Sequence, residues 1–115
     1  MSASMSNKGS IRLNSDGSVQ ISGEMTFSST PNLYRELENR FQSEGTDLNI
    51  DLREVDRADS SGLALLLEWQ AMANQRERKL QITNAPDDLL SLARLCEADT
   101  LLDMSGRESM QDAAR

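Results

Sequence analysis

Histidine is absent from the 115 residues of this sequence, and cysteine occurs once, as Cys96. Histidine is the commonest general base and metal ligand near neutral pH, and one thiolate alone cannot build a metal site. The sequence therefore lacks the key residue of most hydrolase and metalloenzyme mechanisms, and we expect no catalytic residue, no metal and no cofactor. Cys96 cannot form an internal disulfide. Because it follows Leu92 and Ala93 in an apolar helical stripe, we expect its side chain to fill the core.

Positive charge and long apolar runs are also scarce. Twelve Lys and Arg residues stand against 19 Asp and Glu residues, which gives a formal net charge of -7. No basic stripe is present to bind a phosphate backbone, so we exclude nucleic acid as a partner. No apolar run approaches the roughly 20 residues that span a bilayer, and residues 1–10 contain no apolar segment of a signal peptide. We expect a cytoplasmic protein.

Apolar and polar residues alternate near the start of the chain and predict a β-hairpin. The turn formers at 14–17 separate its two strands, and Gly23 ends the second one. The alternating apolar residues are Ile11, Leu13, Val19 and Ile21. A first helix follows, with Thr30 as its N-cap, Pro31 at its first position and a stop at Gly45.

Strands and helices alternate along the rest of the chain. A strand is predicted at 48–52, and the longest apolar helix begins after Ser60. A short strand at 80–82 precedes a helix that begins at Pro86. The leucine pair at 101–102 then adds an edge strand or a helical turn.

This order of elements predicts one α/β domain, a small mixed β-sheet with helices packed mainly on one face. A chain of 115 residues has room for one domain, since domains commonly run to about 100–150 residues. We expect the domain to span 11–102. Residues 1–10 are expected to be a flexible N-terminus, and 103–115 a disordered tail, because that last segment has almost no apolar content.

The segment Asp59-Ser60-Ser61-Gly62 opens the apolar helix. A serine at a helix N-terminus lies beside unpaired backbone N–H groups and the positive end of the helix dipole, so its hydroxyl either caps the helix or contacts a partner. The residues alone favour a cap, with Gly62 allowing close backbone packing and Asp59 as a supporting residue without a role in proton transfer.

Residues 51–67, DLREVDRADSSGLALLL, resemble the signature of STAS domains, which share the fold of anti-sigma-factor antagonists. The resemblance combines a strand ending in Asp-Leu, a loop of fixed length and a helix that opens with Asp-Ser-Ser-Gly-Leu. The order of elements agrees from Ile11 to about Leu102. The resemblance implies a non-catalytic protein that docks onto a partner, with its partner-binding residues at Asp59, Ser60, Ser61 and Gly62.

Two branches of the STAS family fit these residues. In anti-anti-sigma factors the serine after the motif aspartate is phosphorylated by an anti-sigma factor kinase, which carries over to Ser60. The other branch resembles MlaB, whose members bind the ATPase subunit of an ABC system that moves phospholipids between membranes and maintains outer-membrane lipid asymmetry. Residues 23–27, GEMTF, replace the usual Gly-Glu-Leu-Asp of the regulators and resemble MlaB relatives. We favour the MlaB branch, while the double serine keeps the regulator open.

Leu65, Leu66 and Leu67 cannot all face one core, because successive helical residues are about 100° apart. We expect at least one of them to contact a partner, and we add Leu65 to the partner-binding residues. Trp69 is either an interface anchor or a core residue, and we expect core. Some STAS domains are said to bind nucleotide, but this chain lacks a Gly-rich phosphate loop, so ATP hydrolysis is not expected.

Overall fold

The structure, a computed structural model, describes residues 9–15, 17–41 and 47–107. Residues 1–8 of the flexible segment predicted at 1–10, Asp16 of the turn, the helix stop predicted at Gly45 and residues 108–115 of the tail predicted at 103–115 lie outside the described residues, whereas Ser10 is described and begins a strand. Five strands and three α-helices form the described part. They are β1 Ser10–Leu13, β2 Val19–Met25, α1 Thr30–Phe41, β3 Leu48–Ala58, α2 Ser60–Gln75, β4 Leu80–Ala85, α3 Asp87–Leu95 and β5 Asp103–Gly106, with a 3-10 turn at Ala98–Thr100 before β5.

The five strands form one mixed sheet in chain order, β1-β2-β3-β4-β5. β1 and β2 pair antiparallel as a hairpin, and every later pair is parallel. Crossovers between parallel strands are right-handed, so a sheet that grows in one direction places its helices on one face. Accordingly α1 contacts α2, and α2 contacts α3. The predicted class, a small mixed sheet with helices on one face, is confirmed.

The core lies between this helical layer and the sheet. Strand residues that face the helices are buried at every second position, because side chains alternate between the two faces of a strand. From α2, Leu63, Leu66, Trp69 and Ala73 complete the core. Trp69 is 0% exposed, so the prediction that it is a core residue is confirmed.

The opposite face of the sheet is polar. Arg12 donates to Gln20 across the hairpin at 3.1 Å, and Asn49 donates to Gln81 across β3 and β4 at 3.3 Å. Such cross-strand pairs contribute a few tenths of a kcal/mol each, up to about 1 kcal/mol. Because these side chains form hydrogen bonds with each other and with water, this face is stable without a second helical layer.

β2 continues beyond Gly23, where the sequence predicts its end. Gly23 has a φ of 86°, a left-handed conformation that favours glycine. The pairing with β3 shifts register between Gly23 and Glu24. The glycine therefore marks a bulge inside the strand, which runs on to Met25.

The cap of α1 lies one residue earlier than predicted. The first i to i−4 bond of the helix runs from the Leu33 N–H to the Ser29 carbonyl oxygen at 3.2 Å, so Ser29 rather than Thr30 is the cap residue. The Ser29 Oγ accepts from the Thr26 N–H at 2.9 Å and donates to the Glu24 carbonyl oxygen at 2.7 Å. These bonds fix the loop from β2 into α1.

Residues 103–107 are not part of a disordered tail. Residues 103–106 form β5, which pairs with β4 through Gln81↔Asp103 and Ile82↔Met104. Arg107 then donates to the carbonyl oxygens of Asn84 at 2.7 Å and Val55 at 2.9 Å, and to that of Leu52. Backbone pairing with β4 and the hydrogen bonds of the Arg107 guanidinium hold this segment in place. Its low apolar content therefore did not predict whether it is structured.

The prediction that Cys96 fills the core is wrong. α3 ends at Leu95, and the Cys96 side chain is exposed. Leu95 is likewise 81% exposed. The helix stops because Glu97 adopts the left-handed conformation, with φ 60° and ψ 26°. The buried stripe of α3 is formed by Leu89 and Ala93 instead.

Candidate partner-binding site

Asp59 joins the start of α2 to the loop that follows β2. Its Oδ1 accepts a hydrogen bond from the Ser61 backbone N–H at 2.8 Å, which makes it the N-cap of α2. Its Oδ2 accepts from the Phe27 N–H at 3.3 Å, and its own N–H donates to the Met25 carbonyl oxygen at 3.2 Å. Asp59 therefore fixes the position of the helix end relative to the β2–α1 loop.

Gly62 allows α2 to approach β2 closely. It is buried in the first turn of the helix. A Cβ atom at this position would lie 2.6 Å from the Met25 carbonyl oxygen and 3.0 Å from the Met25 Cβ. Both distances are too short for a side chain, so the motif glycine has a packing role, as its sequence context suggests.

The two serines of the motif have different surroundings. Ser60 is exposed at the first position of α2, and within the described part of the chain its hydroxyl makes no hydrogen bond. Ser61 is half-buried and points along the helix face that α1 flanks. Because Asp59 supplies the cap, the Ser60 hydroxyl is not needed to complete the helix end. It remains available to an incoming molecule.

A groove of about 620 Å³ lies between the two helices that begin at this end of the sheet. Leu65 is 4% exposed and Phe27 is 80% exposed, so the first belongs to the packed interior and the second projects into solvent. The lining residues are Phe27, Ser28, Thr30, Pro31, Tyr34, Ser61, Ala64, Leu65 and Glu68. We call this feature the α1–α2 groove.

The structure brings all five sequence-predicted site residues to the start of α2. Asp59 and Ser60 are exposed, Ser61 is half-buried, and Gly62 and Leu65 are buried. Leu66 is also buried and Leu67 is half-buried, so none of the three consecutive leucines is fully exposed. The Leu65 side chain forms part of the groove floor and does not project into solvent.

Phe27, Pro31 and Tyr34 line the groove and were not predicted as site residues. Pro31 and Tyr34 lie on α1, about thirty residues before the motif, so only the fold brings them to α2. Phe27 offered one usable signal. It is an aromatic residue between polar neighbours, outside the alternating pattern of β2 and the helical pattern of α1.

Glu68 is the charged side chain among the residues that line the groove. The Asp59 carboxylate accepts from the Phe27 N–H and so lies at the Phe27 end of the groove. No Lys or Arg belongs to the lining set. The groove is therefore apolar at its centre and acidic at its border.

A family model described as MlaB, STAS domain matches residues 11–111. The chain belongs to this STAS family. The match extends past the domain end that we predict at residue 102, in agreement with the ordered β5. The family resembles non-catalytic accessory and regulatory proteins, and a sequence comparison with curated proteins finds no significant match.

Solved structures from both branches of the family are similar to the STAS domain. One chain of the Acinetobacter MlaFEDB complex in an ATP-bound conformation has a TM-score of 0.71 at 21% identity, with 83% of this chain and 98% of that chain covered. An anti-sigma factor antagonist from Mycobacterium paratuberculosis has a TM-score of 0.69 at 17% identity, with 93% and 92% covered. Unphosphorylated SpoIIAA of Bacillus has a TM-score of 0.67 at 14% identity, with 93% and 96% covered. Likenesses at these identities show the fold.

Two further features bear on the environment of the domain. None of the described helices is long and apolar enough to cross a membrane. Within the same residues, no group of three or more Asp, Glu or Cys side chains is arranged to hold a metal ion.

Proposed function

We propose that this protein is a non-catalytic accessory subunit of an intermembrane phospholipid ABC transport system. It binds the ATPase subunit and thereby supports outer-membrane lipid asymmetry. In this role it lies in the cytoplasm, peripheral to the inner membrane through its partner. The surface that contacts the ATPase is the start of α2, where Asp59, Ser60 and Ser61 lie at the surface above the buried Gly62 and Leu65.

The observation that carries the docking role in this proposal is the exposure of Ser60. A helix N-terminus needs a cap, and Asp59 provides it through the 2.8 Å bond to Ser61. The Ser60 hydroxyl is exposed on the first turn of a helix that Gly62 and Asp59 hold against the sheet. A rigid, exposed donor and acceptor next to an apolar groove suits a docking surface. It does not favour catalysis, since both Asp59 carboxylate oxygens accept backbone N–H bonds and, among the described residues, no hydrogen bond joins a carboxylate to the Ser60 hydroxyl.

The MlaB branch is supported by the family model and by the residues after β2. The matching model is the one described for MlaB STAS domains, and the similar structures include a chain of an MlaFEDB complex. Thr26 stands where the regulators usually have an aspartate, and the Thr26-Phe27 pair resembles MlaB relatives. In the structure Thr26 is 8% exposed and its Oγ1 donates to Glu24 at 3.3 Å, so this position serves the loop rather than presenting a carboxylate.

The test is an affinity pull-down from the native cell with this protein as bait. The wild type is compared with Ser60→Asp, and Ser91→Asp is the matched control, because Ser91 is an exposed helical serine on α3. Aspartate at the first position of α2 suits the helix dipole, so the variant stays folded. We expect mass spectrometry to find an ABC ATPase with its permease in the wild-type and Ser91→Asp samples, and to find both depleted with Ser60→Asp.

An anti-anti-sigma factor is the second candidate, and the exposed Ser60 hydroxyl favours it. A kinase needs an accessible hydroxyl, and phosphate at this helix end would gain from the dipole but be repelled by Asp59. The fold is also similar to that of SpoIIAA in both its unphosphorylated and phosphorylated forms. Recovery of an anti-sigma factor kinase in the pull-down, without an ABC ATPase, would replace the transporter proposal with this one.

A further inference from the structure

The α1–α2 groove adjoins the proposed ATPase-contact surface at the start of α2, because Ser61 belongs to both. From α2 the groove is lined by residues 61, 64, 65 and 68, the spacing of one helical face. Ser61 and Ala64 are small, so they leave the backbone of α2 open to close approach. On the opposite side, Pro31 and Tyr34 supply an apolar wall from α1.

Phe27 is the most exposed part of this surface that can anchor a partner. Its side chain is 80% exposed, yet its backbone N–H is held by the Asp59 carboxylate at 3.3 Å. The residue is therefore fixed at its main chain and projects its ring outward. Because the main chain is already positioned, binding does not have to order this loop, and a large aromatic side chain buries much apolar area when a partner covers it.

Charge specifies the chemistry of the occupant. The groove carries Glu68 and no cation, with Asp59 at its end, in a chain of formal net charge -7. An acidic or neutral polar segment would gain nothing from these carboxylates. A segment with Lys or Arg beside its apolar residues would form favourable contacts at the border and would associate faster at low salt.

We infer that the α1–α2 groove receives one amphipathic helix of the partner ATPase, with a large apolar residue facing the groove and Lys or Arg within a turn of it. An amphipathic helix that lays its apolar face into a hydrophobic groove is a recurring mode of protein recognition. The inference rests on the proposed function and adds the partner segment to it. In this arrangement Phe27 packs on the apolar side chain, and Glu68 pairs with the basic one.

Site-specific photocrosslinking tests the location. A photoreactive phenylalanine replaces Ala64, which is exposed and lines the groove, or Gln81, an exposed control residue on the polar face of the sheet. The full-length protein is illuminated in complex with the ATPase purified with it, and the crosslinked peptides are sequenced. We expect position 64 to label one basic, apolar helix of the ATPase and position 81 to label none.

The outcomes separate this inference from the proposed function. An ATPase that copurifies but gives no crosslink at position 64 leaves the proposed function standing and overturns the inference. A crosslink from position 64 to a second copy of this chain, or to an acidic segment of the ATPase, also overturns it. If no ATPase copurifies at all, the proposed function fails, and the inference fails with it.

Affinity measurements test the two residues that the inference names. Phe27→Ala is compared with Leu95→Ala, because Leu95 is 81% exposed and lies on α3 away from the groove. We expect Phe27→Ala to raise the Kd for the ATPase about tenfold or more and Leu95→Ala to leave it within about twofold. Glu68→Lys should raise the Kd about three- to tenfold, and Glu68→Gln less. Equal effects of Phe27→Ala and Leu95→Ala, or no effect of Glu68→Lys, would contradict the inference.

Discussion

Replacing Gly62 by alanine tests whether the close contact between α2 and β2 determines the stability of this domain. Gly62 is in helical conformation, so the substitution creates no backbone strain and the helix itself gains about 0.5–1 kcal/mol from the better helix former. The new Cβ, however, would lie 2.6 Å from the Met25 carbonyl oxygen and 3.0 Å from the Met25 Cβ. Neither neighbour is the flexible end of a side chain.

The first turn of α2 must therefore move away from the end of β2. That movement lengthens the bond from the Asp59 N–H to the Met25 carbonyl oxygen, which is already 3.2 Å. Overpacking at a well-packed contact costs about 1–3 kcal/mol. After the helix gain is subtracted, we expect Gly62→Ala to lower the free energy of unfolding by about 1–2 kcal/mol. For a domain of this size that corresponds to a fall in Tm of roughly 4–8 °C.

Thermal and urea unfolding followed by circular dichroism measure this change. Ser60→Ala is the matched control, because it places alanine in the same turn at an exposed position. Exposed substitutions of this kind stay within about 0.5 kcal/mol. If Gly62→Ala is as stable as the wild type, or more stable, the close approach is not what the glycine provides, and the packing argument is wrong.

Three further substitutions test other contacts of the fold. Arg107→Ala removes the donor to the carbonyl oxygens of Leu52, Val55 and Asn84. This substitution should lower the urea midpoint by an amount equivalent to about 1–2 kcal/mol of unfolding free energy. Arg107→Lys should restore only part of that stability, and full recovery by lysine would mean that the charge alone matters. Asp59→Ala should cost about 1 kcal/mol through loss of the α2 cap, and Asp59→Asn less because one acceptor oxygen remains; equal losses would rule out the cap as the cause. Within the described residues the buried Trp69 Nε1 has no hydrogen-bond partner. Trp69→Phe should therefore lower the free energy of unfolding in guanidinium by only about 1 kcal/mol. A loss above about 3 kcal/mol would imply a partner for the indole N–H.

The hairpin, the alternation of strands and helices, and the helix that begins at Ser60 could all be predicted from the sequence. Each of these elements buries one face, so the spacing of its apolar residues shows directly whether it is a strand or a helix. The start of α2 is local as well, since its cap and its close-packed glycine lie within four residues. The sequence motif therefore identified the fold, and the partner-binding site that it places at this helix end stays a prediction.

The errors occur where long-range contacts decide the structure. β5 contains one apolar residue that packs on the core, Met104, and is held by the ladder to β4. Arg107 bonds to a carbonyl oxygen 55 residues earlier in the chain, and no local pattern predicts such a contact. Cys96 shows the opposite error, because the helical pattern continues past the point where the left-handed backbone of Glu97 ends the helix.

The groove was missed for the same reason as β5. Phe27 and Tyr34 belong to the loop and helix before β3, and they meet α2 only after β2 and β3 have paired in parallel. A sequence pattern within one element cannot report a surface that two elements share. An exposed aromatic residue directly after a strand, outside any apolar period, is the one signal that would have pointed to it.

The contacts of the motif divide its residues into two groups that experiments can separate. The Asp59 carboxylate accepts from the Ser61 and Phe27 N–H groups, and Gly62 packs closely on Met25, so substitutions at Asp59 or Gly62 change stability and binding together. The Ser60 hydroxyl makes no hydrogen bond among the described residues, so a substitution there changes the surface but not the fold. A Ser60 variant that loses its partner at unchanged Tm therefore reports the interface itself. A Gly62 variant that loses the partner only in proportion to its lost stability shows that the motif glycine positions the serine and does not contact the partner.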